Sequence, residues 1–181
     1  MSTDKLVAQT VPLPDGVTAS MEGRAFSVKG KLGIVKKNFE RINVDIQVEG
    51  GSVLIRPFSG KKKDSIISNT VHSLVENMVT GVTKGYSYRL KVVYAHFPIS
   101  VKTKGDTIVV ENFVGERSPR LSQIIGDCKV TVEGDDIVVK GVSLEDVGQT
   151  AANLELATKI KHKDQRIFLD GIYIYQKGKG W

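Results

Sequence analysis

The chain has 181 residues, 40% of them hydrophobic, enough to fill one large domain or two small ones. It carries 26 Lys+Arg against 20 Asp+Glu, a formal net charge of +6, which favours a polyanionic partner but equally fits an ordinary basic surface. Its single cysteine, Cys128, excludes an intrachain disulfide and suits a reducing compartment, and no uncharged apolar run reaches bilayer-spanning length, so a folded, cytoplasmic chain without membrane spans is expected.

Asp4, Lys5 and Gln9 break up the first ten residues, so neither a signal peptide nor a membrane anchor is expected there. Residues 11–16 (VPLPDG) read as an extended lead-in. Residues 17–30 then show strand alternation on either side of Gly23: Ala19, Met21, Phe26 and Val28 take one face while Ser20, Ser27 and Lys29 take the other, which predicts a β-hairpin. The segment aligns without gaps on residues 128–141, with five of fourteen positions identical, and this match predicts an internal duplication. A second hairpin is expected over residues 44–56, turning at Gly50-Gly51.

Lys61, Lys62 and Lys63 form a basic cluster that reads as a solvated loop or a binding site with equal ease. Over residues 64–82, Ile66, Ile67, Val71, Leu74, Val75, Met78, Val79 and Val82 recur at spacings of three and four, predicting an amphipathic helix with Asp64 as N-cap and Gly81 and Gly85 at its end. The chain is expected to divide there, into an N-terminal domain of residues 1–82 and a C-terminal domain of residues 83–181. The second domain opens on a strand pattern at residues 86–96, followed by hairpins over 99–111 and 128–141. A second helix then carries Leu144, Val147, Ala151, Leu154 and Ala157 on one stripe, with Ser143 as its N-cap. Residues 167–169, a turn at Asp170-Gly171 and residues 172–175 form an extended return. The predicted class is α+β: two duplicated domains, each an antiparallel β-sheet covered by one α-helix.

No catalytic template is present. Gly60-Lys61 is followed by Lys62 where a P-loop needs Ser or Thr, and GxGxxG, GxSxG and HExxH are missing. One cysteine and three scattered histidines, His72, His96 and His162, make a metal site unexpected, and no cofactor is implied. No enzyme activity is therefore expected. From residue 159 onward six cations, Lys159, Lys161, Lys163, Arg166, Lys177 and Lys179, face only Asp164 and Asp170, which concentrates four of the six net charges in this stretch. Complementing a helix C-terminal dipole needs one or two cations, so the surplus, with His162 among it, favours a phosphate-facing surface. Tyr173, Tyr175 and Trp181 are candidates to stack on bases, although the two tyrosines fit a half-buried strand equally well.

Longer words of the sequence add a resemblance: VPLPDGV at residues 11–17, VKG at 28–30, NMVTGVTKGYSYRLKVVYAHFPI at 77–99, NFVGER at 112–117, and KHKDQRIFLDGIYIYQKG at 161–178. On these the chain resembles, over nearly its whole length, the universal family of large-subunit ribosomal protein six, in its archaeal and eukaryotic branch. It departs at Lys31-Leu32-Gly33, where the family usually has a proline. The resemblance implies two duplicated α+β domains and a scaffold that hydrolyses nothing. It implies a place in the cytoplasmic large ribosomal subunit, bound to its RNA beside the sarcin-ricin loop and near the stalk base. Neighbouring ribosomal proteins and docking translational GTPases would be close by. Carried over, the leading RNA contacts become Lys159, Lys161, His162, Lys163 and Arg166, followed by Arg89 and Lys91 on the long strand, then Lys177 and Lys179. The alternative is a free-standing basic adaptor that holds an acidic protein through its sheet edges.

Overall fold

A computed structural model describes residues 8–161, 163, 164 and 166–181. It is α+β, as expected, and falls into two compact units that meet in sequence between Lys84 and Gly85.

In the first unit, β1 (Gln9–Pro12), β2 (Thr18–Glu22), β3 (Ala25–Lys29), β4 (Ile34–Asn38), β5 (Val44–Glu49) and β6 (Ser52–Pro57) precede α1 (Lys62–Thr83). The strands form two antiparallel three-stranded sheets, β1-β6-β5 and β2-β3-β4. The alternation read from the sequence is realised: Phe26 and Val28 on β3, and Val53 and Ile55 on β6, are fully buried beneath Val71, Val75 and Val82 of α1. Phe39 completes this core, its ring tilted on Phe26 with centroids 6.3 Å apart. Gly30 lets β3 approach the end of α1, since a Cβ there would lie 2.7 Å from the Val82 carbonyl oxygen.

In the second unit, β7 (Tyr86–Val93), β8 (Ser100–Lys104), β9 (Thr107–Glu111), β10 (Arg120–Gln123), β11 (Lys129–Glu133) and β12 (Asp136–Gly141) lead to α2 (Leu144–Ala157) and then β13 (Gly171–Lys179). The sheets are β10-β9-β8 and β11-β12-β7-β13. Leu90, Ile108, Ile137, Val147, Ala151, Leu154 and Ile172 are all fully buried in one cluster.

Each unit thus splits its strands between two sheets, because the strands β4 and β10, unmarked in the sequence, extend the middle hairpin instead of leaving it to pair with the later one. The same topology corrects the alignment behind the duplication. Counted in order, β1 corresponds to β7, the β2–β3 hairpin to β8–β9, and β5–β6 to β11–β12. Residues 17–30 and 128–141 are therefore not equivalent. They share a register, Thr18 facing Lys29 and Lys129 facing Lys140, because hairpins with one turn and one alternation look alike. Their glycines differ in setting too: Gly30 meets Val82 in the last turn of α1, Gly141 meets Val147 in the first turns of α2.

Other local expectations are revised. Asp64 is not the N-cap of α1; the helix starts earlier, with Lys61 at the cap, and Asp64 occupies the first turn, where its carboxylate accepts from the Ser59 hydroxyl. At the other end α1 runs through Gly81 to Thr83, and Gly85, at φ +76°, follows the Lys84 cap. Ser143 does cap α2, accepting from the Asp146 N–H at 3.3 Å. Strand β7 stops at Val93, short of His96. No turn forms at Asp170-Gly171: Gly171 opens β13, and the buried Asp170 carboxylate instead accepts from the Ala95 N–H at 2.9 Å.

Candidate nucleic-acid interface

Residues 158–170 connect α2 to β13 and carry the densest basic stretch. The stretch is anchored at both ends. Thr158, the C-cap of α2, is buried, donates its hydroxyl to the Leu154 and Glu155 carbonyls, and accepts from the Ile172 N–H at 3.0 Å. Arg120, at the start of β10, donates Nη1 to the carbonyls of Ala157 (2.9 Å) and Lys159 (3.1 Å). The same guanidinium grips the Glu116 carboxylate with Nε and Nη2 and lies 4.2 Å over the Phe113 ring. Hydrogen bonding from Arg120 holds the Glu116 carboxyl below its usual range, with a smaller electrostatic contribution from Lys163.

The Ala157 carbonyl at the end of α2 thus receives its positive partner from Arg120, the carbonyls before it are met by Thr158 and the Lys159 backbone N–H, and the last turn of the helix contains no basic residue. Lys159 and Lys161 are exposed and form no ion pair with a carboxylate among the described residues. Lys163 is exposed, with Nζ 4.7 Å above the Phe168 ring. Arg166 is different: it forms a bidentate pair with Asp164 at 3.1 and 2.9 Å, which lowers the Asp164 carboxyl and raises the guanidinium. His162 lies outside the described residues.

The remaining predicted cations do not join this flank. Arg89 and Lys91 are exposed on the face of β7 turned away from α2, and Lys91 pairs with Asp136 at 3.2 Å. A bulge at Tyr175 resets the register, so that Gln176 faces Arg89 and Lys177 faces Tyr88. Lys177 consequently lies over the Tyr88 ring at 5.6 Å, on the sheet face that meets α2. With roughly 3.3 Å per strand residue, Lys177 and Lys179 sit on the order of 20 Å along β13 from its start beside Thr158. Lys61, Lys62 and Lys63 belong to the first unit, at the positive end of the α1 dipole, where cations are mildly unfavourable.

Among the aromatic candidates, Tyr173 and Tyr175 are exposed, Tyr175 donating to Asp136 at 3.2 Å. Trp181 has one face occupied, since its ring lies where a Cβ of Gly85 would be. Arg120 was not singled out by the sequence: its partners at the end of α2 are 37 and 39 residues away, and no local pattern marks it. Equally unmarked was the exposure of Ile167 (73%), Phe168 (36%) and Leu169 (60%), expected only as part of an extended return. Of the two described histidines, His72 is half-buried on α1 and His96 is exposed after β7, while burial pushes the Cys128 thiol up. Among the described residues no three His, Cys, Asp or Glu side chains converge on a metal-sized site, and no helix is long and apolar enough to cross a membrane.

Comparison with known proteins adds two findings. The family model described as ribosomal protein L6 matches the sequence twice, at residues 13–85 and 97–171. The two matches follow the topological correspondence above, the second starting just before β8. Among curated relatives, the large ribosomal subunit protein uL6 of Methanosarcina mazei is 44% identical over 173 residues, covering 96% of this chain and 98% of that one. Those of Staphylothermus marinus and Aeropyrum pernix are each 42% identical, covering 96% and 98% of this chain and the same shares of theirs.

Proposed function

The chain belongs to the ribosomal protein L6 family, and from that premise we propose that it is a structural constituent of the large ribosomal subunit, holding ribosomal RNA through the flank between α2 and β13. One observation carries the choice of surface. Arg120 satisfies the end of α2, so Lys159, Lys161 and Lys163 have no helix-capping duty and present their charge outward. Such lysines neutralise phosphates and release counterions, while Thr158 and Arg120 anchor the start of the stretch that carries them. Arg166, already paired with Asp164, contributes less.

Replacing Lys159, Lys161 and Lys163 together with Ala is expected to weaken binding to a large-subunit RNA fragment at low salt and to flatten the log–log salt slope by roughly two to three, about 0.7–0.9 per phosphate contact. Arg166→Ala alone is expected to change the slope by less than any single lysine. An unchanged slope in the triple variant would remove this flank from the interface. The family resemblance extends the reading to RNA beside the sarcin-ricin loop near the stalk base, with ribosomal proteins and translational GTPases as neighbours. Crosslinking followed by mapping of the attached nucleotides tests that placement. Co-sedimentation with the large subunit separates this reading from a free-standing cytoplasmic adaptor.

A further inference from the structure

Beneath the basic flank lies a cavity of about 360 Å³ whose lining includes Glu155, Leu156, Lys159, Phe168, Ile172 and Tyr173. Its aromatic wall is built before any ligand arrives. The Tyr173 ring folds back over Gly171, where a Cβ would come within 2.9 Å of it, and its hydroxyl donates to the Leu169 carbonyl at 3.2 Å. Lys163 Nζ lies 4.7 Å over one face of the Phe168 ring. Leu156, 60% exposed, leaves apolar surface open at the rim.

Taking the RNA-binding reading above as its basis, we propose that this cavity receives one unpaired nucleobase extruded from the bound RNA, and that it prefers a base carrying an exocyclic amine. Three features select this occupant. Aromatic and aliphatic walls suit a flat ring that has left its stack. Lys159 lines the cavity and Lys163 lies over its Phe168 wall, cations of the kind needed to neutralise phosphates on either side of an extruded nucleotide, whereas an apolar protein side chain would have no use for them. The Glu155 carboxylate offers only acceptors, which match the exocyclic amines of adenine, cytosine or guanine, meet only a single N3–H flanked by two repelling carbonyl oxygens in uracil, and disfavour an acidic peptide.

The test uses the full-length protein and a set of RNA hairpins identical except at one position, which is fully paired or bulged with A, C, G, U or an abasic residue. Affinities are read by fluorescence anisotropy at fixed low salt. Bulged A, C and G are expected to bind about tenfold tighter than the paired and abasic hairpins, the scale of one stacked base, with U between them. Phe168→Ala should erase this increment, so that bulged and paired hairpins bind the variant with equal affinity. Glu155→Gln should bring U level with the others. That isosteric substitution at a half-buried position keeps the test open should Phe168→Ala fail to fold, which thermal unfolding would show. Equal affinity for paired and bulged hairpins, lowered equally by the triple lysine variant, overturns the base pocket and leaves the RNA reading standing. Failure to bind any hairpin at low salt overturns both. A protein side chain found in the cavity of the assembled subunit overturns the pocket alone.

Discussion

Arg120 joins three interactions in one side chain: carbonyls at the end of α2, a bidentate carboxylate and an aromatic face. Arg120→Met is expected to cost about 2 kcal/mol in denaturant unfolding, from two lost charge-assisted hydrogen bonds and orphaned carbonyls. The half-exposed ion pair with Glu116 adds little to this. Arg120→Lys should not restore the loss, because an ammonium cannot hold a carboxylate bidentately and cap a helix at once. The sign with pH follows from the lowered Glu116 carboxyl: its stabilisation is present above the unfolded value of about 4 and is lost as pH falls through the folded one. The Arg120→Met variant should therefore show a shallower loss of stability on acidification. At Cys128, where burial raises the thiol, alkylation at neutral pH is expected to be slow in the native protein and to accelerate on unfolding, read by mass spectrometry.

Legibility differed sharply between elements. Both helices, the four predicted hairpins, which turn at Gly23, Gly50-Gly51, Gly105 and Gly134, and the Ser143 cap could be read because period and turn chemistry are local. The strands β4 and β10 could not, since Ile34–Asn38 and Arg120–Gln123 are short and half-polar and owe their state to β3 and β9 beside them. The same holds for the candidate interface. Its lysines stand out in the sequence, but which of them are free depends on Arg120, Asp164 and the Tyr175 bulge, all matters of tertiary placement. Ser143→Ala should cost about 1 kcal/mol, measured by chemical unfolding. Gly85→Ala should cost more than that, because it meets both a positive φ and the Trp181 ring; Trp181→Ala in the same chain should recover the second part only.

At the scale of the whole chain, the duplication repeats a wiring plan more than a set of residues. In each copy an opening strand skips the hairpin that follows and waits for the last strand of the second hairpin: Gln9 faces Ile55 across β1 and β6, and Tyr86 faces Gly141 across β7 and β12. Each unit has its own buried cluster, so residues 85–181 expressed alone are expected to unfold as one cooperative transition in circular dichroism. Loss of native secondary structure in that fragment would count against it. The pairing of β7 with β13 has a further consequence. Tyr86 lies opposite Lys179, nearly the full span of the unit away along the chain. While the polypeptide is being synthesised, one margin of β7 therefore stays without its hydrogen-bonding neighbour until β13 emerges, and such distant closure is slow. Throughout that interval the nascent chain exposes an open ladder, so any pause in elongation before β13 lengthens the time in which it can pair with the wrong strand.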